Sequence, residues 1–216
     1  MMNHEYALAE YDINDLSLLA ASCQTIEHNA LWAIGDIKLL SQSLLGFFCS
    51  NKCTGDAILR TYDLARGLRD ASIPVISGFH SAMEKECLDL LLRGTQPIII
   101  CPARSIHNYR LKKPWLEGID EGRILILSPF EEKHRQPSSS LAEVRNHLVA
   151  TLAARIFVSH AEPGSKTEKL CLQHLGEQKQ VIILDSCNNE TLKDSGAEFG
   201  TVESTINLLI NEGLQP

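Results

Sequence analysis

The chain has 216 residues, 44% of them apolar, enough to bury a sizeable core in one domain and too many for a disordered segment. With 20 Lys and Arg against 27 Asp and Glu, the formal charge of −7 excludes a protein that coats nucleic acid through its overall field, so any nucleic-acid site has to be local. The 7 Cys lack the regular spacing of a secreted disulfide framework, no apolar run reaches the roughly 18 residues that span a bilayer, and the start carries no export signal, so a cytoplasmic home is expected.

Residues 6–27 read as one helix or two short ones, with Leu8, Leu16, Leu18 and Leu19 on the apolar side. The expected organisation is a helical appendage over residues 1–30 and a main domain over 31–216. Short apolar runs follow at 44–48, 73–76, 97–101, 123–127, 155–158 and 180–184, several of them continuously apolar, as in parallel strands buried on both faces. Between them, residues 57–70 place Ile58, Tyr62, Ala65 and Leu68 on one helical face, and 82–93 do the same with Met83, Cys87, Leu90 and Leu91. Residues 111–121, 141–154 and 167–176 continue the alternation, 133–140 have the composition of a mobile connection, and 204–211 read as a last helix. The predicted fold is α/β: a doubly wound, mostly parallel Rossmann-like sheet with helices on both faces, whose ligands bind beyond the carboxyl ends of the strands.

Residues 145–168 are the most informative stretch, joining Arg145-Asn146, a helix, the strand ending at Val158 and the turn Gly164-Ser165-Lys166-Thr167 that opens another helix. Free N–H groups at that helix start would suit an anion, and Lys166 adds charge; the alternative is an ordinary start capped by Ser165 or Thr167. Ser77-Gly78 either contacts a ligand at a strand end or ends the strand and caps the next helix. Arg145 is either a phosphate contact or a helix charge, and Asn146 either a ligand contact or a local backbone partner. His107 and Tyr109 lie after the third run, lining the pocket or covering it. Cys49 and Cys53 have no second pair to complete a metal site, so buried thiols, no metal and no cofactor are expected.

The order of these pieces resembles the DprA/Smf family of DNA-processing proteins. Residues 31–40, LWAIGDIKLL, are similar to the segment before that family's first strand, and Phe48-Cys49-Ser50-Asn51-Lys52 holds the place of its Gly-Ser/Thr-Arg motif. Ser77-Gly78-Phe79-His80-Ser81-Ala82-Met83-Glu84 resembles the Ser-Gly-Leu-Ala-x-Gly-Ile-Asp segment, and residues 144–152 resemble the Arg-Asn-Arg-Ile-Ile-Ala-x-Leu-Ser helix. Residues 163–167 resemble its Ser-Gly-Ser/Thr turn, and Asn189 to Ala197 its late Asn-x-Leu-Ile-x-x-Gly-Ala segment.

The resemblance implies a homodimeric, non-catalytic domain that binds single-stranded DNA over the strand ends and helps load a RecA-type recombinase in natural transformation. The implied contacts are Ser50, Asn51, Lys52, Ser77, Gly78, Phe79, Arg145, Asn146, Gly164, Ser165, Lys166 and Thr167. The sequence departs from the family at three ligand-side positions. Asn51 replaces an arginine, Cys49 a glycine, and Leu141-Ala142-Glu143 lacks the aromatic residue common there, removing a stacking platform worth about 1–3 kcal/mol per base. Two alternatives follow: a nucleotide sensor that has lost DNA affinity, or a phosphoribohydrolase of the LOG type. In the latter, residues 163–168 match part of the PGGxGTxxE motif, and Glu168 would act on a nucleoside monophosphate.

Overall fold

The computed structural model of the chain describes residues 6–13, 30–50, 55–184, 189–211 and 213. The six apolar runs form the parallel strands β3 (Leu45–Phe48), β4 (Val75–Ser77), β5 (Ile98–Ile100), β6 (Ile124–Ser128), β7 (Arg155–Val158) and β8 (Val181–Leu184). Strands β1 (Ala9–Asp12), β2 (Ala30–Ile34) and β9 (Glu198–Gly200) complete a sheet of order β1-β2-β6-β5-β4-β3-β7-β8-β9. All neighbours from β6 to β9 pair in parallel, whereas β1 and β2 run antiparallel at one edge.

Helices lie on both faces, as the alternation predicts. Along β3, Leu45 and Phe47 point into one apolar layer and Phe48 into the other. The first layer takes Leu64 and Leu68 of α1 (Gly55–Asp70), Cys87 and Leu91 of α2 (Ala82–Leu91), Trp115 of α3 (Lys113–Asp120) and Leu209 of α7 (Val202–Asn211). The second takes Leu148 and Val149 of α4 (Ser139–Leu152), Leu170 and Cys171 of α5 (Lys166–Gly176), and Leu192 of α6 (Glu190–Asp194). Each large side chain fully buried in these layers contributes about 1.5–3 kcal/mol. Phe47 and Phe157 meet across β3 and β7 with ring centroids 5.2 Å apart.

The amino-terminal reading needs correction. Residues 9–12 form the edge strand β1, paired with β2 in the register Ala9↔Ala33 to Asp12↔Ala30, and not a helix. Burial alternates residue by residue, with Ala9 and Tyr11 half-buried and Glu10 and Asp12 exposed, so a period of two wins over 3.6. The rest of the expected appendage, residues 14–29, lies outside the described residues. Residues 31–40, expected only as a segment leading into the first strand, are themselves ordered elements. They form β2, a turn at Gly35, and a 3-10 helix (Ile37–Ser41) whose Lys38 N–H donates to the Asp36 side chain at 2.9 Å. Gly35 has φ +114°, and a Cβ there would sit 2.5 Å from the Ile124 carbonyl, so both conformation and space require glycine. Helix α4 begins two residues before its expected start, because Ser138 caps it by accepting from Leu141 N.

Candidate functional site

Strand order reverses at β3: the chain moves through β4, β5 and β6 on one side and returns to β7 and β8 on the other. Connections therefore diverge from the carboxyl ends of β3 and β7, which is where doubly wound sheets open a crevice. A cavity of about 360 Å³ lies there, between Cys49-Ser50, His80-Ser81, Arg145-Asn146 and Ser165-Lys166-Thr167. Its size falls within the range of small-ligand pockets, about 300–1,000 Å³.

Of the residues singled out in the sequence, the cavity brings together Ser50, Arg145, Asn146, Ser165, Lys166 and Thr167. Ser77 is fully buried, and its Oγ accepts from Phe79 N at 3.2 Å, which is the turn role. Gly78 and Phe79 line a neighbouring cavity, and Gly164 lines neither. Asn51 and Lys52 lie outside the described residues.

Arg145 is the central cation. It is 4% exposed, its Nε donates to Asn146 Oδ1 at 2.8 Å, and its Nη1 donates to the Cys101 carbonyl at 3.0 Å. Burial lowers its pKa from the ordinary 12.5, a shift opposed by the nearby Glu84 carboxylate and Cys101. A guanidinium stays protonated under any such shift, so the charge persists. Gly78 makes this placement possible, since a Cβ built there would lie 1.2 Å from Arg145 Nη1. Asn146 positions Arg145 through its side chain, in place of the expected local backbone contact, and lines the cavity.

Carboxylates of the chain itself lie at both helix starts and take up the N–H groups of the turns that precede them. Glu84 Oε1 accepts from Cys49 N at 3.0 Å, and Oε2 accepts from His80 N at 2.7 Å and Ser81 N at 3.1 Å. Ser81 Oγ accepts from Glu84 N at 3.1 Å, closing a capping box at α2. At α5, Ser165 Oγ accepts from Glu168 N at 3.1 Å, while Gly164 N donates to Glu168 Oε2 at 2.7 Å. At this helix start Ser165 is the cap, as in the second of the two expected readings, and the carboxylate of Glu168 folds back on the preceding turn. Gly164 N is engaged by Glu168, and Ser165 N donates to the Glu162 carbonyl at 2.9 Å. Glu168 is 8% exposed and lies outside the cavity lining.

Lys166 stands at the rim, where its Nζ donates to Glu143 Oε2 at 2.6 Å and to Ser139 Oγ at 3.0 Å. This contact holds the Glu143 carboxyl below its usual range. Cys49, Cys87, Cys101 and Cys171 are buried, and burial pushes the Cys101 and Cys171 thiols up to about 12, far from a reactive thiolate. Among the described residues no group of three or more His, Cys, Asp or Glu could hold a metal ion, and no helix is long and apolar enough to cross a membrane. The cleft is lined by hydroxyls, one buried guanidinium, one paired ammonium, His80 and the carboxylates of Glu84 and Glu162.

Comparisons with solved structures find the same fold in DNA processing protein A from Helicobacter pylori, in a study of its single-stranded DNA binding mode. That protein is 21% identical at a TM-score of 0.74, with 99% of this chain and 100% of that one covered. DNA processing protein A from Streptococcus pneumoniae is 17% identical at a TM-score of 0.71, covering 93% and 74% of the two chains. A molybdenum cofactor binding protein from Rippkaea orientalis shares the fold more distantly, at 13% identity, a TM-score of 0.56, and 79% and 97% coverage. No curated protein sequence matches the chain. The family model of DNA recombination-mediator protein A matches residues 20–199, from β2 through α6 and the cleft, and the chain belongs to this family.

Proposed function

We propose that the protein binds single-stranded DNA, with the strand's phosphates drawn into the cleft at the carboxyl ends of β3 and β7. The observation that carries this reading is Arg145. A buried guanidinium held by Asn146 and the Cys101 carbonyl retains Nη2, for which no partner occurs among the described residues, beside a cavity at the topological switch point. A guanidinium fixed in this way has already lost its side-chain freedom, so a phosphate meets a preorganised donor. Ser50, Asn146 and Thr167 supply uncharged donors around it, and Lys166 supplies a second charge once released from Glu143. The Helicobacter pylori protein of the same fold, described by its single-stranded DNA binding, supports the choice of ligand.

The protein acts by binding rather than catalysis. In the phosphoribohydrolase alternative Glu168 would work on a ribose, yet its carboxylate caps the turn at Gly164 instead. Failure of the protein to release free base from any common nucleoside monophosphate is the expected result. A homodimer and a RecA-type recombinase partner belong to the same proposal, on the strength of the family alone. The test is fluorescence anisotropy of a labelled oligo-dT at two salt concentrations, with duplex DNA and mononucleotides as competitors. Salt-sensitive binding that duplex competes poorly is expected. Absence of binding at low salt, or equal competition by mononucleotides, removes the DNA reading and leaves a nucleotide sensor.

A further inference from the structure

A second cavity of about 230 Å³ opens beside the cleft, beyond the ridge formed by residues 78–80. His80 lines both cavities, and Gly78, which lies against the Arg145 guanidinium, lines the second. Its wall carries Tyr109 and Trp115 with ring planes 8° from parallel and centroids 6.3 Å apart. Arg104 lies over the Tyr109 ring at 5.2 Å, and Lys112 over the Trp115 ring at 5.3 Å. Arg104 Nε is buried without a hydrogen-bond partner, and neither Arg104 nor Lys112 has a carboxylate partner among the described residues. One carboxylate, Asp89, faces three cations, Lys85, Arg104 and Lys112.

Parallel aromatic planes, unpaired cations and an excess of positive charge suit a flat ring attached to an anion. The volume is below the roughly 300–1,000 Å³ of pockets that enclose a whole small ligand, so it takes part of a ligand whose remainder lies elsewhere. The remainder has a place in the adjoining cleft. Base stacking on an aromatic ring is stronger than an exposed cation–π contact, so a base can displace the Arg104 and Lys112 side chains from the ring faces and leave them to meet phosphates.

We propose that this second cavity receives one base of the strand whose phosphates occupy the cleft, stacked against the half-buried Tyr109 ring beside the edge of Trp115 and flanked by Arg104 and Lys112. The inference rests on the single-stranded DNA reading and adds a base-binding step to it. The experiment compares binding of oligo-dT with that of an abasic oligomer of equal length, which keeps the phosphates and lacks the bases. The intact protein is expected to prefer oligo-dT roughly ten-fold, the scale of one stacked base. Tyr109→Leu should bring oligo-dT affinity down to that of the abasic oligomer measured on the same variant. Trp emission of the intact protein gives an independent reading: oligo-dT should quench it and the abasic oligomer should not. Equal affinity of the intact protein for both oligomers overturns the base pocket while the DNA reading stands. A preference that survives Tyr109→Leu overturns it too, as does unchanged Trp emission with oligo-dT bound. Binding of neither oligomer overturns the DNA reading and the base pocket together.

Discussion

Helix α4 is held at two places by a cation that donates to backbone carbonyls, Arg145 buried and Lys179 half-buried, and the two differ in what they have left over. Near its middle, Arg145 reaches the Cys101 carbonyl and Asn146. Beneath its carboxyl end, Lys179 Nζ donates to Ala150 O at 2.5 Å, Ala153 O at 2.7 Å and Thr151 O at 3.1 Å. Burial lowers the pKa of both groups. An ammonium has three donors, so Lys179 is saturated as a cap on the helix's orphan carbonyls, whereas a guanidinium has five and Arg145 keeps donors for a ligand. Burial and hydrogen bonding alone do not distinguish a structural cation from a binding one; spare donors at the strand ends do.

The strongest challenge to that contrast is Arg145→Ala. It strands the Cys101 carbonyl and empties the space over Gly78, so urea unfolding should show a loss of about 3 kcal/mol, with oligo-dT affinity falling at least as steeply. Gly78→Ala should cost about 1–3 kcal/mol alone, by forcing Arg145 aside, and much less in the Arg145→Ala background. An additive double-mutant cycle would show that the Gly78–Arg145 contact does not limit the site. Next in size, Lys179→Met should lower stability by about 1–2 kcal/mol and leave oligo-dT binding unchanged. A binding loss in a folded Lys179→Met protein would remove the distinction between the two cations.

The sheet was legible because β3 to β8 are short, continuously apolar runs between helices of clear period, and burial on both faces demands that pattern. Strand β1 was not, because four residues of alternating burial at an edge carry too little signal beside Leu16, Leu18 and Leu19, whose helical spacing dominated the reading. The general position of the cleft follows from strand order, which the alternation implies. Its chemistry was less accessible. That Glu84 and Glu168 turn back onto the turns before the helices depends on rotamers, and the spacings Ser81-x-x-Glu84 and Ser165-x-x-Glu168, the signature of a capping box, are the local signals that could have shown it. The Gly78–Arg145 contact joins residues on β4's outgoing turn and on α4, and no local pattern reports it. Arg104, Tyr109, Lys112 and Trp115 are spread over the loop into α3, where no periodicity predicts a shared wall. Tyr109 alone stood out, from its place after the third run.

The Lys179 end also makes a prediction in pH. His174, 5% exposed, lies with Nδ1 2.9 Å from Glu177 Oε2, near Lys179 and with His147 6.3 Å away. Burial lowers its pKa below the ordinary 6.5, with Glu177 opposing and Lys179 and His147 reinforcing the shift. The unfolded chain then binds a proton that the folded chain resists, so this contribution is complete above pH 6.5 and is lost progressively as pH falls toward the lowered value. His160, also lowered by burial, acts with the same sign. Glu177, held low chiefly by Gln173 and also by His174, adds its loss only below the ordinary carboxylate value of 4.5. Urea midpoints should therefore fall between pH 7.5 and 5, and His174→Gln should flatten part of that slope. An unchanged slope would mean that His174 titrates freely and that this end of α4 is open to water.

The smallest expected effect tests the cleft itself. Lys166 is bound to Glu143 across the gap between α5 and α4, so a phosphate has to compete with a carboxylate already in place. Both side chains are about half exposed, and an ion pair in that setting is weak, so the pair restrains Lys166 without locking it. Glu143→Gln keeps the shape, removes the competing charge and frees the ammonium. Oligo-dT affinity should rise roughly two- to three-fold, the range of an exposed ion pair, and the dependence on salt should steepen as Lys166 joins the phosphate contacts. Glu143→Gln with Lys166→Ala should reverse the gain, since the carboxylate matters only through the cation it holds. A rise that persists in the double variant would assign the effect to the general field of the cleft. Unchanged affinity in both would place the strand away from Lys166 and leave Arg145 as the cation that meets it.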